Sequence, residues 1–192
     1  MRKKLLPNEI IGVIFTLSGY VFMKHLYAMT EHDLVGILFG CVNDSIWENT
    51  KALILPYIIW SLLEMLCLGS GFHNFVSVKI ISAYFLALIY ILQCLVFSVT
   101  GKPYQTAELC FAVLSVLLAF GASYVMLKSS LNLNGFFPVA LCMLFLLMAL
   151  YFSLTPFPMH NYLFMDRGSG LYGLLPMGYD YGANALDAIY YI

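Results

Sequence analysis

The sequence predicts an all-α, polytopic transmembrane helix bundle of about five spanning helices plus one short interfacial or re-entrant helix. Three observations carry that expectation. Hydrophobic residues make up 62% of the chain and charged residues only 10%, where a soluble domain carries roughly a quarter charged residues. Apolar runs recur at about the 20 residues that cross a bilayer as a helix. The short connections between those runs hold Gly, Pro and Asn at turn-forming positions.

The first apolar run covers residues 9–29. Its start, MRKKLLPNEIIGVIFTLSGYVF, places basic residues before an apolar stretch, as a signal peptide does. The stretch is too long, however, and no small-residue cleavage site follows, so an uncleaved first membrane helix is expected. Next comes LVGILFGCV, residues 34–42, too short to span; Gly36 and Gly40 permit close packing of a short interfacial helix. The second span is expected over 45–67, the third over 77–99, the fourth over 104–127 and the fifth over 135–154. GSGFHN, TGKPYQ and KSSLNLN separate the later spans, and Pro156 and Pro158 stop the last. Residues 1–156 thus form one membrane domain, and 157–192 a C-terminal tail expected to pack on it from outside.

Basic residues set the expected orientation. With the N-terminus in the cytoplasm, Arg2, Lys3, Lys4, Lys79 and Lys128 lie inside, in keeping with the positive-inside rule. Five spans then leave the C-terminal tail outside, in a cell membrane of the bacterial inner-membrane type. On that assignment Glu31, His32, Asp33, Asp44, Glu48, Glu108, His160, Asp166 and Tyr172 gather at the outer face.

Composition also excludes. A net charge of −1 provides no basic face for phosphates, so a nucleic-acid partner is not expected. Five scattered cysteines without CxxC spacing indicate apolar filler rather than a disulfide framework or a zinc site. No Ser–His–Asp order, HExxH helix, GxSxG elbow or phosphate-cradling glycine loop is present. No metal and no cofactor is implied, and no protein partner can be named.

Two polar stretches stand out. CVNDSIWENTK, residues 41–51, opens the second span. Its Ser45-x-x-Glu48 spacing is that of a capping box: the Ser45 hydroxyl would accept from the Glu48 backbone N–H, and the Glu48 carboxylate would return to the Ser45 N–H. Asp44 would sit at the positive end of the helix dipole, and Trp47 in the interfacial belt. Capping leaves Asn43, Asn49 and Lys51 unexplained. The alternative is that Asp44, Glu48 and Lys51 project from one helix face toward the bundle interior, where ionisable groups mark a site.

TPFPMHNYLFMDRGSGLYG, residues 155–173, is the second stretch. Its apolar and aromatic content implies that it folds back onto the bundle, with His160 an interfacial hydrogen-bonder before a metal ligand or general base. Glu64 is expected to snorkel or to pair with Lys79 rather than relay protons. Glu108 is either a first-turn dipole partner or a group facing Glu48 and Lys51. Lys24 and His25 are expected to snorkel to headgroups.

VNDSIWEN and TPFPMHNYLFMDRGSGLYG together resemble an uncharacterised family of small multi-pass bacterial membrane proteins, Firmicutes-like, catalogued as a domain of unknown function. Its motifs run close to V-N-E-S-x-W-E-H and P-P-H-x-P-L-F-x-D-P-x-x-G-x-Y-G. Asn43, Ser45, Trp47 and Glu48 match the first, with Asp44 in place of its glutamate. Pro158, His160, Leu163, Phe164, Asp166, Gly170, Tyr172 and Gly173 match the second. Asn49 stands where that motif has histidine, and Met159 where it has a second proline. The resemblance implies the fold and the paired motifs, but no activity.

The functional expectation is a binding, sensing or accessory membrane protein with a polar, outward-facing pocket for a small or lipid-derived ligand. Asn43, Asp44, Trp47, Glu48, Lys51, Glu108, His160, Asp166 and Tyr172 would line it. The alternative is a membrane-embedded enzyme acting on a lipid-linked substrate, with Glu48 or His160 as acid and base. A transporter is disfavoured by the small size and the lack of internal repeats.

Overall fold

The computed structural model of the chain describes residues 2–68, 72–100, 107–129 and 131–174. Six α-helices follow one another: α1 (Arg2–Met29), α2 (Leu34–Phe39), α3 (Ile46–Leu68), α4 (Phe72–Ser98), α5 (Glu108–Lys128) and α6 (Phe137–Leu154), the last preceded by a 3₁₀ turn at Asn134–Phe136. No strand occurs among the described residues; an isolated bridge joins Met165 to Tyr172. The long apolar runs thus fold as helices. α1 begins about two turns earlier than hydropathy alone predicts, at Arg2 instead of near Glu9.

Among the described residues four helical stretches are long and apolar enough to cross a membrane: Leu5–Met29, His73–Ser98, Glu108–Lys128 and Asn134–Leu154. This is a multi-pass membrane protein. Its outward surface is apolar, with Leu66, Leu88, Val99 and Phe145 each more than 60% exposed, a distribution that suits lipid and not water. α3 is the exception in composition, since it carries Glu48, Lys51 and Glu64. It is also the exception in position. Residues 46–57 are buried without a break, so α3 forms the axis of the bundle, packed against α1 on one side and α4 on the other. α5 closes against α1 and α4, and α6 lies against α4.

Close approach of α1 to α3 depends on glycine. A Cβ on Gly19 would fall 2.6 Å from the Pro56 ring, and one on Gly12 would meet the Trp60 indole at 2.4 Å. Pro56 interrupts α3 in its apolar middle, where the ring gives up one backbone hydrogen bond. The smooth flank of α1 at Gly19 receives that ring.

The short α2 folds back on the end of α1. Its chain reversal uses Glu31 and His32 in left-handed backbone (φ 52° and 66°). The segment after α2 is then tied down, as the Cys41 N–H donates to the Met23 carbonyl at 3.1 Å. Alternating direction brings the ends of α1, α4 and α6 to the same face as the starts of α3 and α5. Both polar stretches therefore meet at one end of the bundle, and residues 157–174 of the tail pack there. The remainder of the tail, residues 175–192, lies outside the described residues.

Candidate functional site

The site is assembled from the start of α3, the segment before it, the end of α6 and the folded part of the tail. Glu48 and Lys51, one turn apart on α3, form a buried ion pair at 2.7 Å. Thr155, just past α6, completes it: its hydroxyl donates to Glu48 Oε1 at 2.8 Å and accepts from Lys51 Nζ at 3.0 Å. Lys51 also donates to the Ile37 carbonyl of α2 at 3.1 Å, and Glu48 Oε2 accepts the Val42 N–H at 3.3 Å. The pair is 2% and 0% exposed, and this many partners is what a buried pair requires.

The capping box forms only in half. The Ser45 hydroxyl accepts from the Glu48 N–H at 3.3 Å, as expected. The Ser45 N–H, however, donates to Asn43 Oδ1 at 3.0 Å. Glu48 is drawn inward by Lys51 and does not reach back. Trp47 is likewise not a belt residue. It is buried between the rings of Tyr151 and Phe164, at centroid distances of 4.7 and 4.9 Å.

The tail is latched to this helix start by backbone and side chain together. The Trp47 N–H donates to the Leu163 carbonyl at 3.1 Å. Asn43 Nδ2 donates to the Gly173 carbonyl at 2.8 Å, and the Asp44 N–H donates to Asp166 Oδ1 at 2.7 Å. Asp166, fully buried, folds its own loop: its Oδ2 accepts from the Ser169 N–H and hydroxyl at 2.8 and 2.7 Å. Gly173 has φ 72°, backbone that favours glycine, and a Cβ there would press on the Pro158 ring at 3.2 Å. His160 lies against Tyr172, ring centroids 4.8 Å apart.

Glu108 does not face Glu48 and Lys51. It meets α1 instead, accepting hydrogen bonds from Lys24 Nζ at 2.5 Å and from the Tyr20 hydroxyl. Lys24 does not snorkel free, because it also pairs with Asp44 at 3.0 Å. Asp44 is thus turned away from the Glu48–Lys51 pair, against the expectation that all three share one face. The Lys24 and Asp44 side chains are each 26% exposed, whereas those of Glu48 and Lys51 are 3% and 0%. This part-exposed pair is the ionic edge of the network.

Of the nine residues expected to line a pocket, Asn43, Asp44, Glu48, Lys51 and Asp166 enter hydrogen bonds or ion pairs within or beside one another. Trp47 packs in the core beneath them, Glu108 joins through Lys24, and His160 and Tyr172 form the outer edge of the tail. Tyr20, Lys24 and Thr155 are members that motif reading missed. A four-residue spacing between Tyr20 and Lys24 was the available signal, since it puts both on one face of α1. Among the described residues no group of three His, Cys, Asp or Glu is placed to hold a metal ion. Burial pushes the Cys41 thiol up, with the Glu48 carboxylate adding to the effect, so Cys41 is no thiolate nucleophile.

A model of a family of unknown function, DUF6512, matches residues 3–174. The chain belongs to that family. The match spans both polar stretches and every described helix, so the latch between them lies wholly inside the family's common region. Comparison with the curated proteins and with the solved structures finds no match.

Proposed function

We propose that this DUF6512 protein is a non-catalytic binding, sensing or accessory protein of the cell membrane. Its ligand is a small or lipid-derived molecule carrying a cationic group, taken at the Lys24–Asp44 edge. The observation that carries this reading is the division of exposure across one polar network. Glu48 and Lys51 are enclosed and paired, whereas Asp44 and Lys24 reach the surface. A general acid or base must come within hydrogen-bond reach of its substrate, and Glu48 is held among Lys51, Thr155 and Val42. That arrangement favours binding at the edge over acid–base chemistry at Glu48.

Charge supports the ligand class. Among the described residues this end carries Glu31, Asp33, Asp44, Glu48, Glu108 and Asp166 against Lys24, Lys51 and Arg167. In this reading α3 is the fifth span. Its three ionisable residues are tolerated because neighbouring helices, not lipid, surround them. The N-terminus lies in the cytoplasm of a bacterial inner membrane and the tail outside, supported by Arg2, Lys3, Lys4 and Lys128 at the opposite end. The bilayer is the protein's constant partner.

The test is retention of lipid by the purified chain. Protein from nanodiscs containing equal phosphatidylethanolamine and phosphatidylglycerol is expected to carry the ethanolamine lipid selectively in native mass spectra. Free ethanolamine serves as a second probe. If it alone raises the thermal midpoint, the ligand is a soluble amine. Equal retention of both lipids together with no response to ethanolamine overturns the proposal.

A further inference from the structure

A second buried ionic cluster lies at the opposite end of the bundle, where α1 and α4 begin and α3 and α5 end. Lys79 Nζ of α4 pairs with Glu9 Oε2 of α1 at 2.8 Å and with Glu64 Oε2 of α3 at 2.6 Å. The expected Glu64–Lys79 pair is therefore present, but with a second carboxylate that the sequence did not announce. The Ser123 hydroxyl of α5 donates to Glu9 Oε1 at 2.9 Å. Glu9, Glu64, Lys79 and Ser123 are all at most 3% exposed. The ammonium is further enclosed by the rings of Phe120, Phe75 and Tyr57, with centroids 5.2, 5.4 and 5.9 Å away.

The charges do not balance. Among the described residues two carboxylates face one ammonium, and the other titratable group beside them is the Tyr57 phenol. α1 supplies Glu9 and α3 supplies Glu64. α4 supplies Lys79, while His73 is turned against Phe137. α5 contributes the neutral Ser123, with Lys128 over the Tyr124 ring. α6 brings no charged side chain. A net negative charge in so dry a place is strongly unfavourable, and a buried carboxyl neutralises itself rather than bear it.

Independent of charge, the cluster holds an oxygen that lacks a partner. Glu64 Oε1 makes no hydrogen bond, although Glu64 is only 1% exposed. Buried polar atoms are ordinarily hydrogen-bonded. Ser82 stands one turn along α4 from Lys79. Tyr57, Ser61 and Lys79 border a cavity of about 50 Å³ whose other walls are apolar, Met65, Phe75 and Leu144 among them.

We propose that the Glu9–Lys79–Glu64 cluster is a reversible proton-binding site, with Glu64 the residue that takes the proton. Both Glu9 oxygens are occupied, Oε2 by Lys79 and Oε1 by the Ser123 hydroxyl. Glu64 shares only Lys79, and its second oxygen is unpaired, so the proton rests there. Loading transfers H⁺ from hydronium to a Glu64 oxygen and leaves water; unloading reverses it. The cluster alternates between neutral and one negative charge, with only an O–H bond made and broken.

The experiment is infrared spectroscopy of the full-length protein in nanodiscs. At neutral pH the wild type is expected to show a carboxylic-acid C=O band that disappears in Glu64→Gln and survives in Asp44→Asn, which removes a carboxylate from the other end. Glu9→Gln should also abolish the band, since a single remaining carboxylate is neutralised by Lys79; it substitutes for Glu64→Gln if that variant does not fold. The folded wild type then holds one more proton than the unfolded chain. Its thermal midpoint should consequently fall as pH rises through neutrality into the alkaline range, while that of Glu64→Gln stays level. A wild-type spectrum with carboxylate bands only, or an acid band that survives both glutamine substitutions, overturns the proposal.

Discussion

At the scale of single residues, the buried pair Glu48–Lys51 is the sharpest point of the structure. Replacing Lys51 by Met leaves Glu48 enclosed without compensation, and the expected loss is about 3–5 kcal/mol. The double variant Glu48→Gln, Lys51→Met should recover most of that loss. Equilibrium unfolding in detergent measures both, and a double variant no better than Lys51→Met alone would show that the ion pair is not what holds these side chains. The sequence revealed that these residues belonged together, because capping left Asn43 and Lys51 without a task. It did not reveal their pairing. Spacing along α3 places Asp44 and Glu48 on similar faces, but Asp44 precedes the helix and turns to Lys24. Thr155, which completes the pair from more than a hundred residues away, carries no local signal at all.

Elements show the same contrast. All six helices were legible as apolar runs bounded by turn residues, including the short α2, because hydrophobic length and helix breakers are local properties. That Trp47 would be a core residue was not legible. A tryptophan at a membrane helix start suits the headgroup belt equally well until the tail covers it. Trp47→Ala removes the surface on which Phe164 and Tyr151 rest. It should cost about 3–5 kcal/mol and release the 157–174 segment to proteolysis before the helices open. Tail cleavage no faster than in the wild type would contradict the latch. Between α1 and α3 the decisive feature is Gly19 against Pro56. Gly19→Ala forces two helix backbones apart, and a loss of about 1–3 kcal/mol in unfolding free energy is expected.

For the whole molecule, polar residues form a layer at each end of the bundle with an apolar girdle between them. One layer is the latch, shared by Lys24, Asp44, Glu48, Lys51 and Asp166; the other is the cluster around Lys79. Convergence of the first was visible in the sequence once helix directions alternated. The second was half visible, since a Glu64–Lys79 pairing follows from their positions beside one connection, whereas Glu9 lies two helices away. The proposed topology places Glu31 outside and Ser129 inside. With the native cysteines removed, Glu31→Cys should react with a membrane-impermeant maleimide on intact cells and Ser129→Cys only after permeabilisation; the reverse pattern would invert the molecule. Under the proposed function, the enclosed part of the latch is structural and its exposed edge recognises the ligand. Native mass spectrometry of lipid retention by two variants, Asp44→Asn and the double Glu48→Gln, Lys51→Met, separates those roles. Asp44→Asn is expected to stay folded and lose selective retention of phosphatidylethanolamine, while the double variant keeps it. A folded double variant that loses retention, beside an Asp44→Asn protein that keeps it, would contradict the account and return the site to Glu48.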